Sequence, residues 1–135
     1  MFELDGVLAR DSIAVGKLPL CQLRLINDRQ FPWFILVPER IGITEIHELS
    51  VPDRQQLMAE SCLLAEAMET IFAPDKLNIA AIGNKVRQLH YHHIARFESD
   101  VVWPEPIWGK RAPIAYDEKE LANLLQKVRE KLSLA

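Results

Sequence analysis

Residues 88–96 read Gln-Leu-His-Tyr-His-His-Ile-Ala-Arg. They set polar groups at a spacing of two inside an otherwise apolar run. In an extended strand successive side chains alternate faces. Gln88, His90, His92 and Ile94 then point one way, and Leu89, Tyr91, His93 and Ala95 the other. A row of amide and imidazole groups ending near Arg96 is costly to bury unless it meets a polar partner such as a metal, a carboxylate or a phosphate.

Four uses of such a row compete. Half-buried histidines can be purely structural. Histidines at i and i+2 can share zinc, but zinc usually takes three or four protein ligands. Only His47 and His93 remain, His93 faces away, and the segment holds no cysteine or carboxylate. General acid/base work with a distant carboxylate is a third use, and no carboxylate is singled out. The fourth is phosphate chemistry, in which one imidazole attacks phosphorus while its neighbours and Arg96 neutralise the oxygens.

The chain must be long enough to position that row. Its 135 residues suit one domain spanning 1–135. Hydrophobic residues at 49% and charged residues at 26% match a soluble globular protein. No apolar run approaches the roughly 18 residues of a spanning helix. The N-terminus lacks a basic region followed by an apolar core, so a secretion signal is not expected. A net charge of −3 gives no general attraction to nucleic acid. Lys110-Arg111 is too short a basic run to change that, although it could help hold a polyphosphate. Cys21 and Cys62 read as reduced core thiols of a cytoplasmic protein.

Residues 5–11 can form a short helical turn. Strands are expected at 12–16, at 20–26 before the Asn27-Asp28 turn, and at 33–37, a continuous apolar run suited to a centre strand. Ser50 starts a helix, with Pro52 in its first turn and Asp53 three residues after the cap. Leu57, Leu64, Met68 and Ile71 mark its inner face, widened by Met58, Cys62 and Ala65. A short strand at 77–81 and the Gly83-Asn84 turn lead to the histidine strand, expected over 86–96. Residues 100–113, with three prolines and two tryptophans, form a loop. Asp117 caps a final helix with its stripe at Leu121, Leu124, Leu125, Val128 and Leu132. The order predicts an α+β fold on a mainly antiparallel sheet.

Taken together, Gln88-Leu89-His90-Tyr91-His92-His93-Ile94-Ala95-Arg96 resembles the signature of the histidine triad (HIT) superfamily. The likeness extends to Leu77-Asn78 with Gly83-Asn84-Lys85-Val86 upstream. It extends also to Leu25-Ile26-Asn27 before Phe31-Pro32-Trp33-Phe34-Ile35-Leu36-Val37-Pro38, and covers about residues 20–108. With Trp103-Pro104-Glu105-Pro106-Ile107-Trp108-Gly109 it suggests a bacterial HIT-like subgroup. The resemblance implies a five-stranded sheet with one long central helix and a C-terminal helix, and a homodimer in which two such sheets join.

The resemblance also implies a nucleotide hydrolase acting on dinucleoside polyphosphates or related nucleotidyl conjugates. His90 would attack the α-phosphorus and form a nucleotidyl-imidazole. His92 would act as donor or general acid. Asn84 would contact phosphate, Gly83 and Lys85 would bring the backbone close, and Asn27 would hold the ribose. Trp33 would help wall the base pocket, and Trp103 and Trp108 would close the site or meet a partner subunit. No cofactor is expected to be built in; Mg²⁺ would arrive with a polyphosphate substrate. Nucleotide binding with little catalysis and nucleotidyl transfer to another acceptor are the alternatives.

The chain departs from the family pattern at four places. Gln88 stands at the first triad position and cannot carry a proton. Trp33 or Phe34 stands where phosphoramidase members have a histidine. Ala95 replaces the usual proline, and His93 replaces an apolar residue, where a structural hydrogen bond is expected.

Overall fold

The computed structural model describes residues 1–134. In chain order the elements are α1 (Gly6–Asp11), β1 (Ser12–Lys17), β2 (Cys21–Ile26) and β3 (Trp33–Pro38), then a 3₁₀ turn at Ile46–Glu48. They continue with α2 (Val51–Phe72), β4 (Lys76–Ala80), β5 (Tyr91–Arg96) and α3 (Glu118–Lys131). The strands form one antiparallel sheet in the order β1-β2-β3-β5-β4. β3 is the centre strand, and every residue after Trp33 is buried, as its unbroken apolar run requires.

Local chemistry sets the helix ends. Ser50 Oγ accepts the Asp53 amide at 3.2 Å, and Pro52 lies in the first turn of α2. Ala73, in the left-handed region at φ 47°, ends it. Asp117 Oδ1 accepts the Glu120 amide at 2.7 Å and starts α3. Among the described residues no helix is long and apolar enough to cross a membrane.

The two sheet faces do different work. Leu23, Leu25, Phe34, Leu36 and Ala95 form the main core with Leu57, Leu64 and Met68 of α2 and Leu125 and Val128 of α3. The opposite face is covered at one end by α1 and the N-terminal segment, with Leu8, Phe2 and Leu4 against Ile35 and Val37. At its other end the 98–113 loop brings Ile107 and Trp108 against Phe31, Trp33 and Ile94. Between these covers a cleft reaches the sheet face at Trp33 and His92.

Several expectations need correction. Met58 and Cys62 do not widen the inner face of α2; both are exposed. Only Cys21 is a core thiol, and burial with the nearby Glu60 carboxylate pushes its pKa up. The inner face of α2 instead includes Glu60 and Ser61. Glu60 is tolerated there because its carboxylate accepts the Leu20 and Cys21 amides at 2.8 and 3.0 Å and the Gln56 amide at 2.7 Å. The histidine strand is also shorter than expected. Pairing with β3 runs only to Leu36↔Tyr91, so Gln88, Leu89 and His90 form a lead-in outside the ladder.

Candidate functional site

Alternation in β5 is the device that separates two histidine environments. His93 points into the α2 side, where its Nδ1 donates to the Tyr91 carbonyl at 3.0 Å. A carbonyl only accepts, so Nε2 is the bare nitrogen and takes the Ser61 hydroxyl proton at 2.7 Å. Burial pushes the His93 pKa down to about 4, partly opposed by the Tyr91 carbonyl. This is the structural role expected for His93.

His90 and His92 lie on the opposite face with ring centroids 4.8 Å apart. His90 Nδ1 donates to the carbonyl of Gln88 at 2.8 Å, which leaves Nε2 with its lone pair. That nitrogen has no hydrogen-bond partner among the described residues and is not sealed from solvent. His92 is bound at both nitrogens. Trp33 donates its indole N–H to Nδ1 at 2.9 Å, and Nε2–H is given to the Ile82 carbonyl at 2.9 Å. Trp33 pairs with Ile94, so it is the diagonal cross-strand neighbour of His92. Desolvation lowers the His92 pKa to about 4; the Ile82 carbonyl opposes this, and His90 and His93 add to it.

Two clefts meet at His90. The larger, of about 830 Å³, is lined by Asn27, Trp33, Gly83, Asn84, Lys85, His90 and His92, together with α1 residues and Trp108. The smaller, of about 340 Å³, shares Gly83, Asn84 and His90 and adds Thr44, Glu45, Arg87 and Gln88. Gly83 is needed at the junction. A Cβ there would lie 2.4 Å from the Val86 carbonyl oxygen and 3.1 Å from His90 Cε1. Among the described residues Lys85 and Arg111 form no ion pair, and with Arg10 they set three cationic side chains against the carboxylates of Asp11 and Asp28 in the larger cleft.

Both ends of the Gln88 carboxamide are engaged by the backbone. Its Oε1 accepts the Asp5 amide at 2.8 Å, and its Nε2 donates to the Glu3 carbonyl at 2.8 Å. The first triad position therefore clasps the N-terminal segment that leads into α1, and α1 walls the larger cleft. Asn27 uses its Oδ1 to accept the Tyr116 amide at 3.0 Å, which leaves its NH₂ for the cleft.

Arg96 is the site residue that the structure places elsewhere. It lines neither cleft and is 1% exposed. Its guanidinium pairs with Asp100 at 2.8 and 3.2 Å, donates to Asn78 Oδ1 at 2.8 Å, and lies 5.7 Å from the centre of the Trp103 ring. Three of its five N–H groups are engaged in this way, and the side chain is buried outside both clefts, so it is not placed to hold a phosphate there. Trp103 is thus local packing for Arg96. Trp108 closes the site, edge-on to His92 at 5.2 Å and to Trp33 at 6.4 Å.

Sequence reasoning missed Asp28, which was read only as part of a turn. It is 3% exposed and lines the larger cleft. Its Oδ1 accepts the Gln30 amide at 3.1 Å and the Gln30 side chain at 2.9 Å, and Oδ2 has no partner among the described residues. A carboxylate beside Asn27 at the end of a strand was the available signal. Among the described residues no three histidine, cysteine, aspartate or glutamate side chains are grouped to hold a metal ion.

The HIT domain family model matches residues 8–99. Three histidine triad proteins of known structure are similar over nearly their whole length. The protein from Bradyrhizobium japonicum is 42% identical with a TM-score of 0.96, covering 97% of this chain and 98% of that one. The protein from Sinorhizobium meliloti is 44% identical with a TM-score of 0.95, covering 97% of each. The protein from Marinobacter aquaeolei is 46% identical with a TM-score of 0.96, covering 100% of this chain and 99% of that one. The comparison with curated proteins finds no match. A family model that spans most of the chain, and relatives that share its sheet and its helices, agree with the geometry at β5: the chain belongs to the histidine triad family.

Proposed function

We propose that this protein is a nucleotide hydrolase that cleaves at an α-phosphorus through a nucleotidyl-His90 intermediate. The observation that carries this reading is the state of His90. Its Nδ1–H is held by the Gln88 carbonyl, and its Nε2 lone pair is unpartnered where two clefts meet. A neutral imidazole so held is a competent nucleophile near pH 7.

In the first step Nε2 forms a bond to phosphorus, and the bond from phosphorus to the leaving oxygen breaks with its electron pair. In the second step water attacks phosphorus, the N–P electron pair returns to Nε2, and the water proton passes to solvent. Asn84, the backbone at Gly83 and Lys85 are suited to the phosphoryl oxygens, because they lie beside His90 in the cleft. Asn27 NH₂ and Asp28 Oδ2 are suited to ribose hydroxyls, with Trp33 and Trp108 as apolar wall. Lys85 and Arg111 favour an anionic substrate such as a dinucleoside polyphosphate, with Mg²⁺ brought by the substrate. The clasped Gln88 serves by position and not by titration. Two copies joined through the outer edge of β4, which pairs only with β5, would form the homodimer that the family resemblance implies.

The test is nucleoside monophosphate release from diadenosine tetraphosphate, with mass spectrometry of the quenched enzyme. Turnover and a nucleotidyl adduct, both lost in His90→Ala, are expected. Turnover that survives His90→Ala would overturn the reading. A second reading, transfer to an acceptor other than water, is favoured by the smaller cleft that also opens on His90. Product formation that depends on a second phosphorylated compound would identify it. Nucleotide binding without turnover would make the protein a binder.

A further inference from the structure

His92 is the triad ring beside the nucleophile, with ring centroids 4.8 Å apart, and its surroundings keep it from handing a proton to a leaving group. Trp33 is a donor only, so the Nδ1 that faces it must be bare. The Ile82 carbonyl is an acceptor only, so Nε2 must carry the proton. The two contacts agree on one neutral tautomer and occupy both nitrogens. Protonation of Nδ1 would set two N–H groups against each other inside a ring of Trp33, Trp108 and Ile82.

We propose that Trp33 is a positioning residue that locks His92 as a neutral, committed N–H donor, and so confines the site to nucleotidyl anhydrides and away from nucleotidyl amides. The inference rests on the hydrolase reading above and deepens it. When His90 Nε2 bonds to phosphorus, a phosphate or polyphosphate leaving group takes the electron pair of the breaking P–O bond and departs as a stable anion. No proton is required. An amine leaving group takes the electron pair of a P–N bond and is far too basic to depart without a proton. That proton must come from a general acid, and His92 has none to spare.

The groups packed around His92 supply no substitute. From β3 it meets Trp33, from the chain after β4 the Ile82 carbonyl, and from the 98–113 loop Trp108. The titratable groups that act on it are His90 and His93, and both disfavour its charged form. The charged side chains that line the same cleft are Arg10, Asp11, Asp28, Lys85 and Arg111, and none is hydrogen-bonded to it. The buried ring is held well below the usual histidine range, in keeping with the lock.

The experiment has two arms. In the first, long-range ¹H–¹⁵N spectra follow His92 from pH 8 to 5 in the unmodified protein and in Trp33→Phe. The unmodified protein is expected to show the Nε2–H tautomer throughout. Trp33→Phe keeps an aromatic ring but loses the donor, and is expected to show mixed tautomers or protonation within the range. In the second arm, kcat/KM is measured for diadenosine tetraphosphate and for adenosine 5′-phosphoramidate. The unmodified protein is expected to favour the anhydride by ~10²-fold or more, the size of a missing general acid. Trp33→His restores a ring that can both accept and donate, and should reduce that preference at least ~10-fold.

Protonation of His92 above pH 6 in the unmodified protein overturns the proposal, and so does phosphoramidate cleavage as efficient as anhydride cleavage. If neither substrate is cleaved and no adduct forms on His90, the hydrolase reading falls and takes the substrate half with it. The spectra still decide the lock. Both spectral and substrate measurements on the unmodified protein hold even if a variant fails to fold.

Discussion

Two buried neutral histidines make the fold sensitive to mild acid. His92 is 4% exposed and His93 is fully buried, and each titrates near 4 in place of 6.5. The folded state then refuses a proton that the unfolded chain accepts. Between pH 6.5 and about 4 the unfolded state binds more protons, so stability falls as pH falls through that window. Over the full distance from 6.5 to about 4, at roughly 1.36 kcal/mol per decade, each ring accounts for about 3 kcal/mol. By pH 5 the loss is about 2 kcal/mol per ring, or about 4 kcal/mol together, against a total stability of order 5–15 kcal/mol. Over the assayed range from pH 7.5 to 5.0 the carboxylates with lowered pKa values add little to this loss. Asp100 is held below 3.8 by Arg96 and by backbone amides although burial opposes them, and Glu39 is held below 4.5 by Lys17 and Gln22. Groups of that kind lose their contribution only as pH falls through their own lower range. The assay is urea unfolding at pH 7.5, 6.5, 5.5 and 5.0, followed by tryptophan fluorescence, for the unmodified protein and for His93→Asn. The unmodified protein should lose about 4 kcal/mol between pH 7.5 and 5.0, with an unchanged m-value. His93→Asn should start less stable but lose only about half as much over the same range. A loss below about 1 kcal/mol in the unmodified protein would show that the rings are solvated and charged in the folded state, and would refute the reasoning.

Other outcomes follow from single contacts. Gly83→Ala should lower kcat/KM by ~10²-fold or more with the fold retained, because its Cβ must displace the Val86 carbonyl and the His90 ring; kinetics and circular dichroism together check this. Arg96→Met should cost about 3–5 kcal/mol in urea unfolding by leaving the Asp100 carboxylate buried without its partner, while the activity of the folded fraction stays near that of the parent. Gln88→Ala should free residues 3–5 from the site, seen as faster proteolysis near the N-terminus and a raised KM, since the segment it clasps leads into the α1 wall. Ser61→Ala should cost about 1–3 kcal/mol by stranding the bare Nε2 of His93, read as a lower urea midpoint.

What the sequence made legible, and what it hid, follows from the range of each interaction. The division of labour between His92 and His93 could be read because alternation is a property of one strand, and Ser50, Pro52 and Asp117 could be read because caps act within four residues. Glu60 could not be read. Hydrophobic periodicity has no symbol for a carboxylate that is satisfied by amides some forty residues earlier, so the inner face of α2 was assigned to Met58 and Cys62 instead. The role of Arg96 was partly within reach, since Asp100 follows it by four residues, but whether a charged pair closes on itself or opens to a ligand depends on the turn between them. The most consequential hidden contacts are those at positions 88 and 33. From the resemblance, glutamine at the first triad position read as a loss of proton-carrying capacity. In the fold it is a gain of two backbone hydrogen bonds to a segment more than eighty residues away. Tryptophan in place of a family histidine read as a missing group, and in the fold it is a donor on the third triad position. Both substitutions exchange a titratable side chain for one of fixed hydrogen-bonding sense, and both leave His90 as the one triad residue with a free nitrogen. On the proposed reading such a site keeps the nucleophile and gives up proton relay, a combination that suffices for an anhydride substrate and fails an amide one.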